Sequence, residues 1–277
     1  MISRQKILND FKNNRFRLLE SCPHSKIFVN NNILIKKYDE KVDVKSEYDN
    51  QCLNYNLLKK NKTLGCPKAF FFDEKTNILC MEYVDGVNLI KYMRERNILL
   101  SNKNNLVEVF DMLFKGLRDY YNELKRVKST NFTDYDFVMR KFFDKNNDML
   151  LRFNPKEKQI KDKQVIHGNL KLENILIDKK KRLYLIDYSY NLKSSIYLDL
   201  GKLIESMFSC GIMRFYKYDF FFLKKIKNLL LQSFPNEELL KYYMKKYRIY
   251  DLLNCREKSL KYQLLKAIYV LRWTLFR

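Results

Sequence analysis

The stretch from 167 to 187 constrains this chain most: HGNLKLENILID, then the charged run KKKR, then LYLID. Residues 175–177 and 183–186 are apolar runs of strand length, and residues 178–182 between them suit a hairpin turn. The segment therefore reads as a loop, a short strand, a turn and a second strand. A hairpin brings its two ends together. Asn174 stands at the mouth of the first strand and Asp187 at the exit of the second, so an amide oxygen and a carboxylate converge on one point. Both are hard oxygen ligands of the kind Mg²⁺ takes when it also binds nucleotide phosphates.

The rest of the chain supplies ample core for a globular fold. Of 277 residues, 46% are hydrophobic and 15% aromatic, and the six glycines and four prolines argue against a loop-rich or repeat architecture. The formal net charge of +22 calls for an acidic partner: a nucleotide, an anionic glycolipid, nucleic acid or an anionic membrane face. The joint abundance of Lys, Asn, Ile and Tyr is also what compositional bias would give. The basic residues are spread rather than blocked, and no zinc-finger, homeodomain or RNP-type signature is present, so nucleic acid is the weakest of these partners. The six cysteines show no C-x-x-C and no metal-ligand spacing, which fits free thiols in a reducing compartment. The opening MISRQKILND is polar, and no apolar run approaches ~20 residues. The expectation is a cytoplasmic protein with neither signal peptide nor transmembrane helix.

Residues 1–15 suit one short helix. Strands are expected at 17–20 and 26–29 around SCPHS, then at 33–38, ILIKKY. In that strand Lys36 shares a face with Leu34, while Lys37 faces the other way with Ile33 and Ile35. Residues 42–60 suit a helix with Leu53, Leu57 and Leu58 on its apolar side. Strands at 68–72 and 77–83 follow. A helix starts at 89–94, and 104–125 is strongly amphipathic, with Leu106, Phe110, Leu113, Leu117, Tyr120 and Leu124 as a core stripe. Residues 126–163 are polar and less regular. Helices are expected at 219–234, 237–247 and 257–276. The last is basic and amphipathic; such a helix lies on an anionic membrane or, more commonly, docks on its own domain.

The catalytic segment resembles the protein-kinase-like superfamily, whose loop runs H-R-D-L-x-x-x-N before a metal-binding D-F-G. This chain has His167, Gly168, Asn169, Leu170, Lys171, Leu172, Glu173 and Asn174, then Asp187, Tyr188 and Ser189. HG and IDYS look most like the aminoglycoside and choline phosphotransferase branch or the sugar kinases of lipopolysaccharide core. The resemblance spans roughly residues 17–210 and implies an α+β, two-lobed fold. A small sheet-based lobe would occupy 1–84 and a mostly helical lobe 85–277, with ATP and Mg²⁺ in the cleft between them. It implies that Lys36 holds the α/β phosphates and that Glu47 pairs with it, with Asp43 and Asp49 as alternatives. MEYVDG, residues 81–86, would be the hinge, where the backbone at Glu82 and Val84 meets the adenine ring and Gly86 ends the strand. Asn174 and Asp187 would be the metal ligands. His167 would be structural within the catalytic set, and Lys171 either stabilises charge at the transferred phosphate or is a solvated loop lysine. Asp199, in SIYLDLGK, would brace the catalytic loop.

Two departures from the pattern matter. No glycine occurs before residue 65, so the Gly-rich phosphate loop is absent or replaced by SCPHS. The position of the catalytic base is Asn169, and a neutral amide orients a hydroxyl without taking its proton. Only eleven residues separate Asp187 from Asp199, and no A-P-E follows, so no peptide platform is expected. These features imply phosphoryl transfer to a hydroxyl of a small molecule, sugar or glycolipid, anionic by charge complementarity. The alternative is a pseudokinase that binds nucleotide as a scaffold.

Overall fold

The alternating apolar pattern of the first eighty residues builds a twisted antiparallel sheet with a helix on each face. The computed structural model describes residues 3–22, 24–39, 42–95, 103–128, 132–145, 160, 162–188, 192–214 and 220–254. Helix α1 (Arg4–Lys12) is capped by Ser3, whose hydroxyl accepts the Lys6 N–H. Strands β1 (Arg17–Cys22), β2 (Ser25–Asn30) and β3 (Ile33–Tyr38) form a meander. Helix α2 (Val44–Leu58) is followed by β4 (Leu64–Gly65), β5 (Ala69–Asp73) and β6 (Ile78–Glu82), giving a sheet of order β1-β2-β3-β6-β5. Period-two alternation decides which helix each strand residue meets. Ile35, Ile78 and Cys80 pack under Ile7 of α1, whereas Tyr38, Ala69 and Leu79 pack under Val44 of α2.

The segment SCPHS joins β1 to β2. Cys22 lies opposite Ser25, so the ladder of the two strands runs into that segment.

Beyond β6 come β7 (Gly86–Asn88), α3 (Leu89–Glu95) and α4 (Lys103–Leu124). The α4 stripe from Leu106 to Leu124 is core, each of its six apolar residues at most 2% exposed. The polar stretch expected to be irregular contains β8 (Thr133–Asp134) and α5 (Tyr135–Asp144), and β9 (Gln164–Val165) follows it. Helix α5 forms because Asp134 caps it, accepting the Asp136 and Phe137 N–H groups, while Met139 and Phe143 bury one side. A 3₁₀ turn at Leu172–Asn174 leads into β10 (Ile175–Asp178) and β11 (Leu183–Leu185), with β12 (Leu192–Ser194) and α6 (Ile196–Arg214) following. Helices α7 (Phe220–Ser233) and α8 (Glu237–Asn254) complete the described part; the helix expected at 257–276 lies outside it.

The hairpin of β10 and β11 is central to a second sheet, β4-β11-β10-β7. Gly86 does not end a strand, since β6 closes at Glu82. It opens β7 and lies opposite Asp178, where a Cβ would stand 2.8 Å from the Ile177 carbonyl oxygen. A glycine is needed there by close approach. Among the described residues, Cys22, Cys52, Cys66 and Cys80 are free thiols, and no helix is long and apolar enough to cross a membrane.

Candidate active site

Strand β3 and the far end of the hairpin meet across the cleft between the lobes. Lys36 points to the α2 face, its side chain 16% exposed, and its Nζ donates to Asp187 Oδ1 at 3.2 Å. Lys37, on the opposite face, is exposed. Glu47 Oε2 lies 3.8 Å from the same ammonium. The two alternative acids are engaged elsewhere: Asp43 caps α2 by accepting the Ser46 N–H, and Asp49 pairs with Lys45 on the exposed side. Glu47 has a further partner in the Tyr38 hydroxyl, which donates to Oε2 at 2.5 Å while the Tyr38 ring lies 4.9 Å from the Lys36 ammonium. Tyr38 is two residues beyond Lys36 in the strand, so period-two alternation could have placed it here.

Asp187 leaves β11 in the left-handed region, φ 59°, which turns its carboxylate back toward the loop. Its Oδ2 accepts from the Asn169 amide nitrogen at 2.7 Å and lies 3.4 Å from that of Asn174. The Asn174 amide also donates to the Asn169 carbonyl at 2.8 Å. Thus Lys36, Glu47, Asn169, Asn174 and Asp187 form one polar cluster. Burial pushes the Asp187 carboxyl up, but the Lys36 ammonium outweighs this and holds it below the usual carboxylate range. Burial likewise pulls the Lys36 ammonium down, and Asp187 and Glu47 reverse that, so its pKa is raised.

The loop preceding Asn174 is held from below by buried groups. Asp199, in the first turn of α6, is wholly buried and accepts the His167 N–H at 2.7 Å and the Gly168 N–H at 2.9 Å. The Tyr121 hydroxyl of α4 donates to the same carboxylate at 2.9 Å. Burial raises the Asp199 carboxyl, opposed by Lys202, Tyr121 and the two loop amides. Gly168 sits at φ 78°, a conformation that suits glycine and disfavours the arginine of the protein-kinase loop. Its carbonyl accepts from the ammonium of Lys202, itself 3% exposed. Ser206 accepts the Leu172 N–H at 3.1 Å. Tyr121 comes from a helix distant in sequence, whereas Lys202 and Ser206 share α6 with Asp199, and nothing in SIYLDLGK shows that the Lys202 ammonium reaches the loop.

His167 is 0% exposed, its ring against Tyr188 at 4.4 Å, and its Nδ1 accepts the Asn169 N–H at 3.2 Å. Burial pulls its pKa down to about 3, so the imidazole is neutral near pH 7. Lys171 is part-exposed, and its carbonyl accepts the Asn174 N–H that starts the 3₁₀ turn. The structure does not bring Lys171 into the polar cluster through any recorded contact of its ammonium. In residues 81–86, expected to be the hinge, the Glu82 carboxylate accepts the Lys68 N–H, and the Val84 carbonyl accepts the Gly86 N–H.

No group of three or more His, Cys, Asp or Glu side chains gathers among the described residues. The protein oxygens at the hairpin mouth are those of Asn174 and Asp187. That donor set suits Mg²⁺ shared with substrate phosphates, since Mg²⁺ commonly takes one or two protein carboxylates and fills the rest of its shell from phosphate and water.

This two-lobed α+β architecture is the protein-kinase-like fold. An aminoglycoside phosphotransferase from Streptomyces rimosus superposes with a TM-score of 0.57 at 14% identity, over 90% of this chain and 99% of that one. The GDP complex of aminoglycoside 2'-phosphotransferase-IIIa gives 0.60 at 13% identity, over 93% and 92%. ADP-bound APH(2'')-Ib gives 0.54 at 14%, over 97% of both chains. By sequence, no protein-family model and no curated protein matches the chain.

Proposed function

We propose that this chain is an ATP-dependent phosphotransferase acting on a hydroxyl of a small-molecule acceptor. The observation that carries the reading is the approach of Lys36 and Asp187, 151 residues apart, to 3.2 Å beside Glu47, Asn169 and Asn174. A scaffold that binds no nucleotide needs no such convergence. Similar folds occur in phosphotransferases solved with ADP, GDP and streptomycin, which supports a nucleotide and a small acceptor here.

In this reading residues 1–84 form the nucleotide lobe and 85–277 the acceptor lobe. Lys36 binds the α/β phosphates, and Glu47, fixed by the Tyr38 hydroxyl, orients it. The backbone at Glu82 and Val84 receives the adenine. Asn174 and Asp187 hold Mg²⁺, which when bound neutralises charge on the β and γ phosphates. Asn169 positions the acceptor hydroxyl without removing its proton, and Lys171 adds positive charge at the loop. His167, buried and neutral, keeps the loop shaped through the Asn169 N–H. The charge of +22 supports an anionic acceptor, such as a sugar phosphate or glycolipid headgroup, with peripheral contact to an anionic membrane. Phosphoryl transfer rests mainly on positioning and charge stabilisation, so an amide at the base position leaves a slow enzyme. Loss of a general base costs on the order of 10²–10⁴ in rate.

Asn169 is also the observation that favours the second reading, a nucleotide-binding pseudokinase. Mg-ATP hydrolysis by the wild type beside Asn169→Asp and Asp187→Ala separates the two. Wild-type turnover lost in Asp187→Ala supports the enzyme. Turnover only in Asn169→Asp supports the pseudokinase.

A further inference from the structure

Lys202 is a buried lysine that the phosphotransferase reading does not employ. It lies one helical turn after Asp199 on α6, 3% exposed, and its ammonium donates to the carbonyl of Gly168. Two aromatic rings flank it: Tyr135 of α5 at 4.6 Å and Tyr247 of α8 at 5.1 Å. A lysine is among the residues least often fully buried, because desolvating its charge is costly unless partners replace water. Here a carbonyl, the buried Asp199 carboxylate nearby and two ring faces replace it.

We infer that Lys202 is a positioning residue that fixes the peptide plane after Gly168 and thereby aims Asn169 at Asp187. The argument is geometric. A peptide plane is set by what its N–H and its C=O each meet. Asp199 takes the Gly168 N–H, and Lys202 takes the Gly168 carbonyl, which belongs to the same peptide as the Asn169 N–H. That N–H in turn donates to His167 Nδ1. Gly168 at φ 78° has no Cβ to restrict it, so these hydrogen bonds are what select one orientation. Without the Lys202 contact, only the His167 bond holds that peptide plane, and the hold on the Asn169 side chain 2.7 Å from Asp187 weakens. The two tyrosines extend the consequence: they tie α5 and α8 to the loop through one ammonium, so displacement of either helix acts on the residue that faces the acceptor.

The inference uses the role of Asn169 proposed above, but its test does not depend on turnover. Hydrogen exchange would be compared among wild type, Lys202→Met and Lys202→Arg, with melting curves as a check of folding. Loss of a hydrogen bond to a charged group should raise exchange in the peptide covering residues 166–170 by on the order of tenfold or more in Lys202→Met. Exchange in α4 and in the sheet of β1 to β6 should stay unchanged, and Lys202→Arg should recover part of the protection. Loop exchange equal to wild type overturns the inference, as does a rise spread evenly over α5, α6 and α8, which marks Lys202 as packing alone. If Lys202→Met does not fold, Lys202→Gln, which keeps a shorter neutral donor, enters the same comparison with the same two outcomes. Mg-ATP thermal shift of the wild type is read in parallel. Failure of ATP to stabilise it rejects the phosphotransferase reading and leaves the exchange result to decide on Lys202.

Discussion

The two sides of the cleft are built on different physics. The loop side, His167 to Asn174, is held by a buried carboxylate, a buried ammonium and a neutral imidazole, all supplied or enclosed by the helical lobe. The strand side, Lys36 with Glu47 and Tyr38, is held by half-buried charges 16% and 15% exposed, and among the described residues it reaches the loop through Asp187, whose side chain is 44% exposed. Ion pairs open to water on one partner are screened and contribute less to stability than wholly buried polar groups, which are costly to leave unpaired. The loop should therefore behave as part of the core and the strand side as a binding surface. Substitutions on one side should cost stability, and those on the other should cost ligand binding.

The largest effect is expected at Asp199. Asp199→Ala leaves the His167 and Gly168 N–H groups and the Tyr121 hydroxyl without their shared acceptor. Urea unfolding should show a loss of about 3–5 kcal/mol. A loss below about 1 kcal/mol would show that water or a rearranged loop replaces the carboxylate, and the contrast between the two sides would fall.

His167 should give the loop side a pH dependence. Its folded pKa lies near 3, below the 6.5 of an unperturbed imidazole, so between these values the unfolded chain binds a proton that the folded chain does not. Stability from this group is present above pH 6.5 and is lost as pH falls toward 3, by about 1.4 kcal/mol per unit. Urea midpoints from pH 7 to pH 4.5 should show this slope, and His167→Gln should flatten it. Asp187, lowered instead, adds a loss only at more acidic pH, as the solution falls below its unfolded pKa and through its folded one.

A smaller effect is expected at Tyr38. Tyr38→Phe removes the hydroxyl that fixes Glu47, at a cost of about 0.5–1.5 kcal/mol in stability. Because Glu47 orients Lys36, the thermal shift given by Mg-ATP should shrink as well. An unchanged shift would mean that Glu47 is positioned without Tyr38.

Much of this was legible in the sequence where one element carries the information. ILIKKY fixes strand β3 with the same bounds, because its alternation places Lys36 and Ile35 on opposite faces. The hairpin of β10 and β11 follows from two apolar runs and a charged turn, and the motif order gives the two-lobed fold. What stayed hidden depends on contacts between distant segments. Lys202 reads as one more lysine on a helix until α5 and α8 close over it. Helix α5 was missed because its buried side is short and its cap, Asp134, sits in a polar stretch.

The most direct test of the central claim compares neighbouring lysines on opposite faces of β3. Mg-ATP thermal shift would be measured for wild type, Lys36→Ala and Lys37→Ala. The account predicts stabilisation of the wild type and of Lys37→Ala, and its loss in Lys36→Ala with little change in the unliganded melting temperature. Equal stabilisation of both variants, or none in the wild type, would contradict a nucleotide site at the Lys36–Asp187 pair.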